Sequence, residues 1–296
     1  MSVSVNLRGT GVAIVTPFNK DKSVDFPSLT KLVEHIIKGK VEYVVALGTT
    51  GETVNLTKDE KLKIIRHVVK VVNGRVPVVI GLGGNNTQDI LTFCKTKSNF
   101  NGVDAVLSVS PYYNKPTQQG IYEHYLAVAK ACPVPVILYN VPGRTSSNVS
   151  AETTLRLARA SKNIVAMKEA SGNFEQCMKI IKKRPKNFLL ISGDDLLALP
   201  LIASGADGVI SVVANAYPED FSEMVRQMLD GNVKNAQKLH YKLTEIIEQL
   251  FADGNPGGIK AVLALKKITK NYLRLPLVNV NATTQKALTD LVKKYK

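Results

Sequence analysis

The chain has 296 residues, 45% of them hydrophobic, with three cysteines and a net charge of +15. Such a length and composition builds one large core or two modest ones and carries no sign of disorder or collagen-like repetition, while Cys94, Cys132 and Cys177, far apart and without CxxC spacing, make neither a disulfide framework nor a zinc site. The positive charge lies in short runs such as Lys182-Lys183-Arg184, Lys266-Lys267 and Lys293-Lys294; without a basic tail or an aromatic-basic stacking motif it argues against nucleic acid and leaves solvated helix faces and some attraction for anionic substrates. The start, Met1 to Arg8, lacks the pattern of a secretion leader, and no apolar run is long enough to span a bilayer. The expectation is a cytoplasmic protein with no membrane partner.

Apolar runs of buried-strand length recur in order: Val12 to Thr16, Tyr43 to Leu47, Val76 to Ile80, Ala105 to Val109, Val134 to Tyr139, Ile164 to Met167, Phe188 to Ile191 and Gly208 to Val212. Most begin roughly 30 residues after the one before, the length that a strand, a helix and two loops require. None alternates polar with apolar residues, so each reads as buried on both faces, as in a parallel sheet covered by helices. Eight such units predict an α/β fold, a closed (β/α)8 TIM barrel.

Helix signals fall between the runs. Asp25 precedes a helix with Pro27 in its first turn and Leu29, Leu32, Val33, Ile36 and Ile37 on one face. Thr57-Lys58-Asp59-Glu60 is a capping box ahead of an apolar stripe from Leu62 to Val72. Past Pro218 the strand pattern stops, and helical periodicity follows over Phe221 to Leu229, Val233 to Leu250, Ile259 to Ile268 and Thr283 to Tyr295. The clearest break is Asp253-Gly254-Asn255-Pro256-Gly257-Gly258. The chain thus divides into a catalytic barrel over 1–218 and a C-terminal α-helical extension over 219–296.

In such a barrel the carboxyl ends of the strands converge on one mouth. The segments just past the apolar runs are Gly48-Thr49-Thr50-Gly51-Glu52, Gly81-Leu82-Gly83-Gly84, Ser110-Pro111-Tyr112-Tyr113-Asn114, Tyr139-Asn140-Val141-Pro142-Gly143-Arg144, Lys168, Ser192-Gly193-Asp194-Asp195 and Ser211. Ile164 to Met167 deliver Lys168 to the end of a buried strand, where loss of water favours the neutral, nucleophilic amine used in Schiff-base chemistry. A lysine at a strand end also simply runs its stem out to solvent, and its company decides. Glycines flanking Thr49 and Thr50 expose backbone N–H groups that hold a carboxylate, or form a plain turn. The glycines at 81, 83 and 84 have the wrong spacing for a dinucleotide site, and Asp194 and Asp195 lack further ligands for a metal.

Taken together, Gly48-Thr49-Thr50-Gly51-Glu52, Pro111-Tyr112-Tyr113-Asn114-Lys115-Pro116, Tyr139-Asn140-Val141-Pro142-Gly143-Arg144-Thr145 and Lys168-Glu169-Ala170-Ser171-Gly172 resemble the dihydrodipicolinate synthase family. That family is one of the pyruvate-dependent class I aldolases and lyases, which include N-acetylneuraminate lyase. The resemblance implies a lyase of lysine and diaminopimelate biosynthesis that condenses pyruvate with L-aspartate 4-semialdehyde to give 4-hydroxy-tetrahydrodipicolinate, with no cofactor and no metal. It implies that Lys168 forms the Schiff base, that Tyr139, Thr49 and a neighbouring subunit's Tyr113 relay protons, and that Thr49 and Thr50 hold the pyruvate carboxylate. Gly193 and Ile210 line the pocket by analogy. The resemblance further implies that Arg144 grips the semialdehyde's carboxylate, which separates this activity from the sibling alternative, cleavage of N-acetylneuraminate or a 2-keto-3-deoxy sugar acid. A homotetramer built as a dimer of dimers is implied as well.

At a possible effector site, lysine-inhibited members carry histidines where this chain has Lys58 and Lys61, whereas Asn85, Asp89 and Tyr112 keep suitable chemistry. Permanent cations there predict weak or absent feedback by L-lysine. The family's Asn-Pro-Ile-Pro-Val-Lys segment is changed here to Asn255-Pro256-Gly257-Gly258-Ile259-Lys260, without a sequence-level account of the consequence.

Overall fold

The apolar runs become the eight strands of a closed, all-parallel barrel in a computed structural model that describes residues 5–295; the first residues of the start read above for a leader, 1–4, lie outside them. The strands are Gly9–Ala13 (β1), Tyr43–Ala46 (β2), Val78–Gly81 (β3), Ala105–Val109 (β4), Val136–Asn140 (β5), Ile164–Glu169 (β6), Leu189–Ser192 (β7) and Gly208–Ser211 (β8). They pair in chain order, and β8 closes on β1 with Gly9 opposite Gly208. β1 begins at Gly9 rather than at Val12, because Gly9, Thr10 and Gly11 are buried and paired without contributing an apolar signal.

The continuous apolar runs conceal a strict alternation. Val45, Val79, Leu107, Ile137, Ala166 and Ile191 fill the barrel interior, while Val44, Ile80, Val106, Leu138, Met167 and Leu190 pack outward into the helical layer. Both faces are dry, so both are apolar.

The helices are Phe26–Lys38 (α1), Lys58–Val72 (α2), Thr87–Lys95 (α3), Gln118–Ala131 (α4), Pro142–Thr145 (α5), Ala151–Ala160 (α6), Phe174–Lys183 (α7), Ala198–Ala203 (α8), Pro218–Leu229 (α9), Val233–Phe251 (α10), Gly257–Leu265 (α11) and Ala282–Lys294 (α12). Both predicted starts are built as read. Asp25 accepts the Ser28 N–H ahead of α1, and Thr57 and Glu60 cap α2 reciprocally. Each supplies partners for N–H groups that a helix start leaves orphaned.

Helix α9 packs on β1, β8 and α1. It is followed by α10 against α9, then α11 and α12 against each other and α10. Gly257 and Gly258 of the predicted break prove to open α11, while Gly254 precedes it with φ 83°. A Cβ on Gly258 would lie 2.2 Å from the Leu250 carbonyl oxygen, so only glycine lets α11 cross the end of α10 this closely. Among the described residues no helix is long and apolar enough to cross a membrane.

Candidate active site

Lys168 sits one residue from the end of β6, directly opposite Tyr139 on β5 in the sheet register. Alternation points both into the barrel, above Ile137 and Ala166, where Lys168 is 5% and Tyr139 6% exposed. The Lys168 Nζ lies 4.4 Å from the centre of the Tyr139 ring. It makes no ion pair among the described residues. The adjacent carboxylate, Glu169, faces the other way and is occupied there by Asn140 Nδ2 at 3.0 Å, Gln176 Nε2 at 2.8 Å and the Ser171 N–H at 2.8 Å. A buried lysine with no counter-ion and an aromatic ring beside it is unusual, since charge burial normally demands a partner.

The Gly48–Glu52 loop lies over the same mouth. Its Thr49–Gly51 turn is a single 3-10 turn, and the N–H groups of Thr49 and Thr50 find no acceptor among the described residues, as an anion nest requires. Thr50 is buried and its Oγ1 accepts from Asn255 Nδ2 at 3.0 Å. Glu52, left-handed at φ 53° and 1% exposed, pairs with the fully buried Lys260. Burial pulls the Lys260 ammonium down to about 8 against the opposing charge of Glu52.

β7 and β8 close the wall. A Cβ on Gly193 would sit 2.5 Å from Ala170 Cβ and 3.1 Å from Lys168 Cε, so the lysine stem occupies space that only glycine leaves. Ile210 projects from β8 into the barrel, 1% exposed. Asp195 accepts the N–H groups of Val212 at 3.0 Å and Val213 at 2.8 Å, tying the loop after β7 to the turn after β8. Burial pushes its carboxyl up to about 6, against the pull of those donors.

Arg144 stands on the one-turn helix α5, directly after β5, exposed and without an acidic partner among the described residues. Tyr113, in the loop after β4, is 88% exposed with φ 71°. Asn114 beside it donates to the Asn85 carbonyl at 3.0 Å, joining the loops that carry Tyr112 and Asn85. Lys58 and Asp89 lie exposed in the first turns of α2 and α3. Lys61 is half-buried, and burial together with the charge of Lys58 pushes its ammonium downward.

The mouth brings together a buried amine without an ion-pair partner among the described residues, phenol and threonine hydroxyls, free N–H groups and one open guanidinium, groups whose chemistry suits a carbonyl compound bearing a carboxylate. The family model described as "Dihydrodipicolinate synthetase family" matches residues 6–295. The chain belongs to this family. It is 54% identical over 273 residues to the 4-hydroxy-tetrahydrodipicolinate synthase of Flavobacterium psychrophilum, covering 92% of this chain and 93% of that one. Identity to the enzyme of the same name from Parabacteroides distasonis is 50%, covering 98% and 97%. Among solved structures, the dihydrodipicolinate synthase from Aquifex aeolicus superposes with a TM-score of 0.94 at 38% identity, over 98% of each chain. A dihydrodipicolinate synthase variant described as the first monomeric one superposes equally well, at 37% identity over 97% and 96%.

Within this family frame, sequence reading missed the residues behind the mouth. The donor set around the Glu169 carboxylate, the Asp195 anchor, and the Glu52–Lys260 pair with Asn255 each join separate segments of the chain. Glu52, Glu169, Asp195, Asn255 and Lys260 each stood in a stretch singled out above, but nothing in the sequence pointed to their supporting contacts.

Proposed function

We propose that Lys168 captures pyruvate as an imine and that the mouth then condenses it with L-aspartate 4-semialdehyde to give 4-hydroxy-tetrahydrodipicolinate, in lysine and diaminopimelate biosynthesis. The observation that carries the reading is the Lys168 amine, 5% exposed and free of ion pairs among the described residues, 4.4 Å from the Tyr139 ring. Its nitrogen adds to the keto carbon, water leaves, and the protonated imine draws electrons from the methyl carbon, which loses a proton to give an enamine. The enamine carbon adds to the aldehyde. The substrate's own amine then displaces Lys168 and closes the ring. Tyr139 and Thr49, with Tyr113 from a neighbouring subunit, pass the protons; phenols are weak acids singly, but a hydrogen-bonded chain shares the task. The free N–H groups of Thr49 and Thr50 hold the pyruvate carboxylate, with Gly193 and Ile210 shaping the wall. No cofactor enters these steps.

Arg144 selects the second substrate. A planar, permanently charged fork suits a carboxylate, and its exposed, unpaired position leaves it free to take one. Arg144→Ala is expected to lower kcat/KM for the semialdehyde by on the order of a hundredfold, the worth of a charge-assisted bidentate contact, with pyruvate capture intact. Coupled turnover and borohydride trapping on wild type and variant test this. Equal turnover in both sinks the assignment of Arg144, and failure of pyruvate plus borohydride to label Lys168 sinks the Schiff base.

The enzyme works in the cytoplasm as a homotetramer, a dimer of dimers, and 88% exposure of a large aromatic at Tyr113 supports a covering neighbour. The chain serves as a catalytic barrel over 1–218 with a helical extension over 219–296, whose first helix also completes the ring around the barrel. At the effector positions, Lys58 and Lys61 repel the ammonium groups of L-lysine. Feedback inhibition by L-lysine is expected to be weak or absent, and inhibition at sub-millimolar L-lysine in a steady-state assay would contradict this.

A further inference from the structure

The Gly48–Asn55 loop is fastened from an unexpected side. Thr16 Oγ1 donates to the Gly51 carbonyl at 2.7 Å. The other bonds that involve a side chain and reach the loop from outside come, among the described residues, from the C-terminal extension. Lys260 pairs with Glu52 and also donates to the Tyr272 carbonyl at 2.9 Å. The Arg274 N–H donates to Glu52 Oε2 at 3.1 Å, and Arg274 Nη1 donates to the Asn55 carbonyl at 2.9 Å. Asn255 Nδ2 donates to Thr50 Oγ1, and the buried Asn255 Oδ1 has no partner among the described residues.

Three features set this apart from ordinary packing. Leu47 and Glu52 bracket the Thr49–Gly51 turn with φ of 59° and 53°, conformations that non-glycine residues keep only where their surroundings impose them. A fully buried ion pair is a poor device for stability, since apolar replacement of both partners is often neutral. A buried polar atom left without a partner at Asn255 calls for a local reason.

We infer that Glu52, Lys260 and Asn255 are positioning residues for the carboxylate of the compound captured at Lys168. The buried pair holds the loop's backbone from behind and Asn255 fixes the Thr50 side chain, so that the N–H groups of Thr49 and Thr50 are presented in place before the ligand arrives. The inference rests on the reading of those two N–H groups as carboxylate holders. It makes the altered segment around Gly257-Gly258 a mount for the site: Asn255 and Lys260 flank the glycines that let α11 approach α10.

The test is borohydride trapping of Lys168 in the full-length protein, read by mass, with two ketones: pyruvate, and hydroxyacetone, which lacks the carboxylate. Wild type is expected to be half-trapped by pyruvate at about a hundredfold lower concentration than by hydroxyacetone, as two N–H bonds to a charged acceptor imply. Lys260→Met is expected to raise the half-trapping concentration of pyruvate about tenfold or more, and Asn255→Ala by about three- to tenfold, while hydroxyacetone trapping stays as in wild type. If wild type does not prefer pyruvate, the carboxylate reading itself fails and takes the inference with it. If wild type prefers pyruvate but both variants keep its pyruvate dependence, or lose both ketones in parallel, the positioning role is overturned and the carboxylate reading stands. Should Lys260→Met not fold, Asn255→Ala, which breaks a single bond, decides the question.

Discussion

Lys168 and Glu169 are consecutive in sequence and would neutralise one another if their side chains met. Alternation along β6 sends the amine into the barrel and the carboxylate behind it, where Asn140, Gln176 and the Ser171 N–H saturate its oxygens. The Lys168 amine therefore keeps no ion-pair partner among the described residues, and the space around its stem is tightly set as well. Gly193→Ala places a methyl 3.1 Å from Lys168 Cε and 2.5 Å from Ala170 Cβ. The amine must shift, and a displacement of this kind is expected to slow borohydride trapping by on the order of a hundredfold, while the clash with Ala170 lowers Tm. A variant that traps pyruvate at the wild-type rate would show that the stem has room to spare.

At the scale of elements, α2 is joined to the extension by Arg274, which grips Glu60 through Nη1 at 2.8 Å and Nη2 at 2.5 Å. The same Glu60 closes the capping box with the Thr57 N–H at 2.9 Å. The Arg274 guanidinium first, aided by the Thr57 N–H, holds the Glu60 carboxyl down at about 2 from an ordinary 4.5. A depressed carboxyl stabilises the fold above its unfolded value, and that contribution fades as pH falls from about 4.5 toward 2. Glu60→Gln is expected to cost about 1–2 kcal/mol at pH 7, discounted for partial exposure, with the difference from wild type shrinking toward pH 3. Urea unfolding of both proteins at the two pH values checks this, and a gap that is constant across them would refute it.

At the scale of the whole molecule, the proposed hydroxyl relay takes its third member, Tyr113, from a neighbouring subunit. Tyr113 is exposed and left-handed in its own chain, a conformation that costs energy unless something holds it. If a neighbour supplies it, Lys168→Ala and Tyr113→Phe subunits, each nearly inactive alone, are expected to recover about a quarter of wild-type activity after mixing and exchange, because half of a mixed two-fold pair's sites are intact. No recovery on subunit exchange would place Tyr113 in its own chain's site.

The sequence by itself determined the parts whose cause is local. Eight buried runs, two helix caps, a lysine at a strand end and glycine-threonine turns all announce themselves within a few residues, since periodicity, capping and turn chemistry act over such distances. Even there, glycines hid the true start of β1 at Gly9, and unbroken apolar runs did not say which residues face inward. The tertiary structure alone decided what supports the site. Glu52 meets Lys260 across 208 residues and Asn255 meets Thr50 across 205, and no local pattern encodes such pairs. The barrel must close, and the extension must fold back over its mouth, before a strained loop and a buried charge find the partners that make them tolerable.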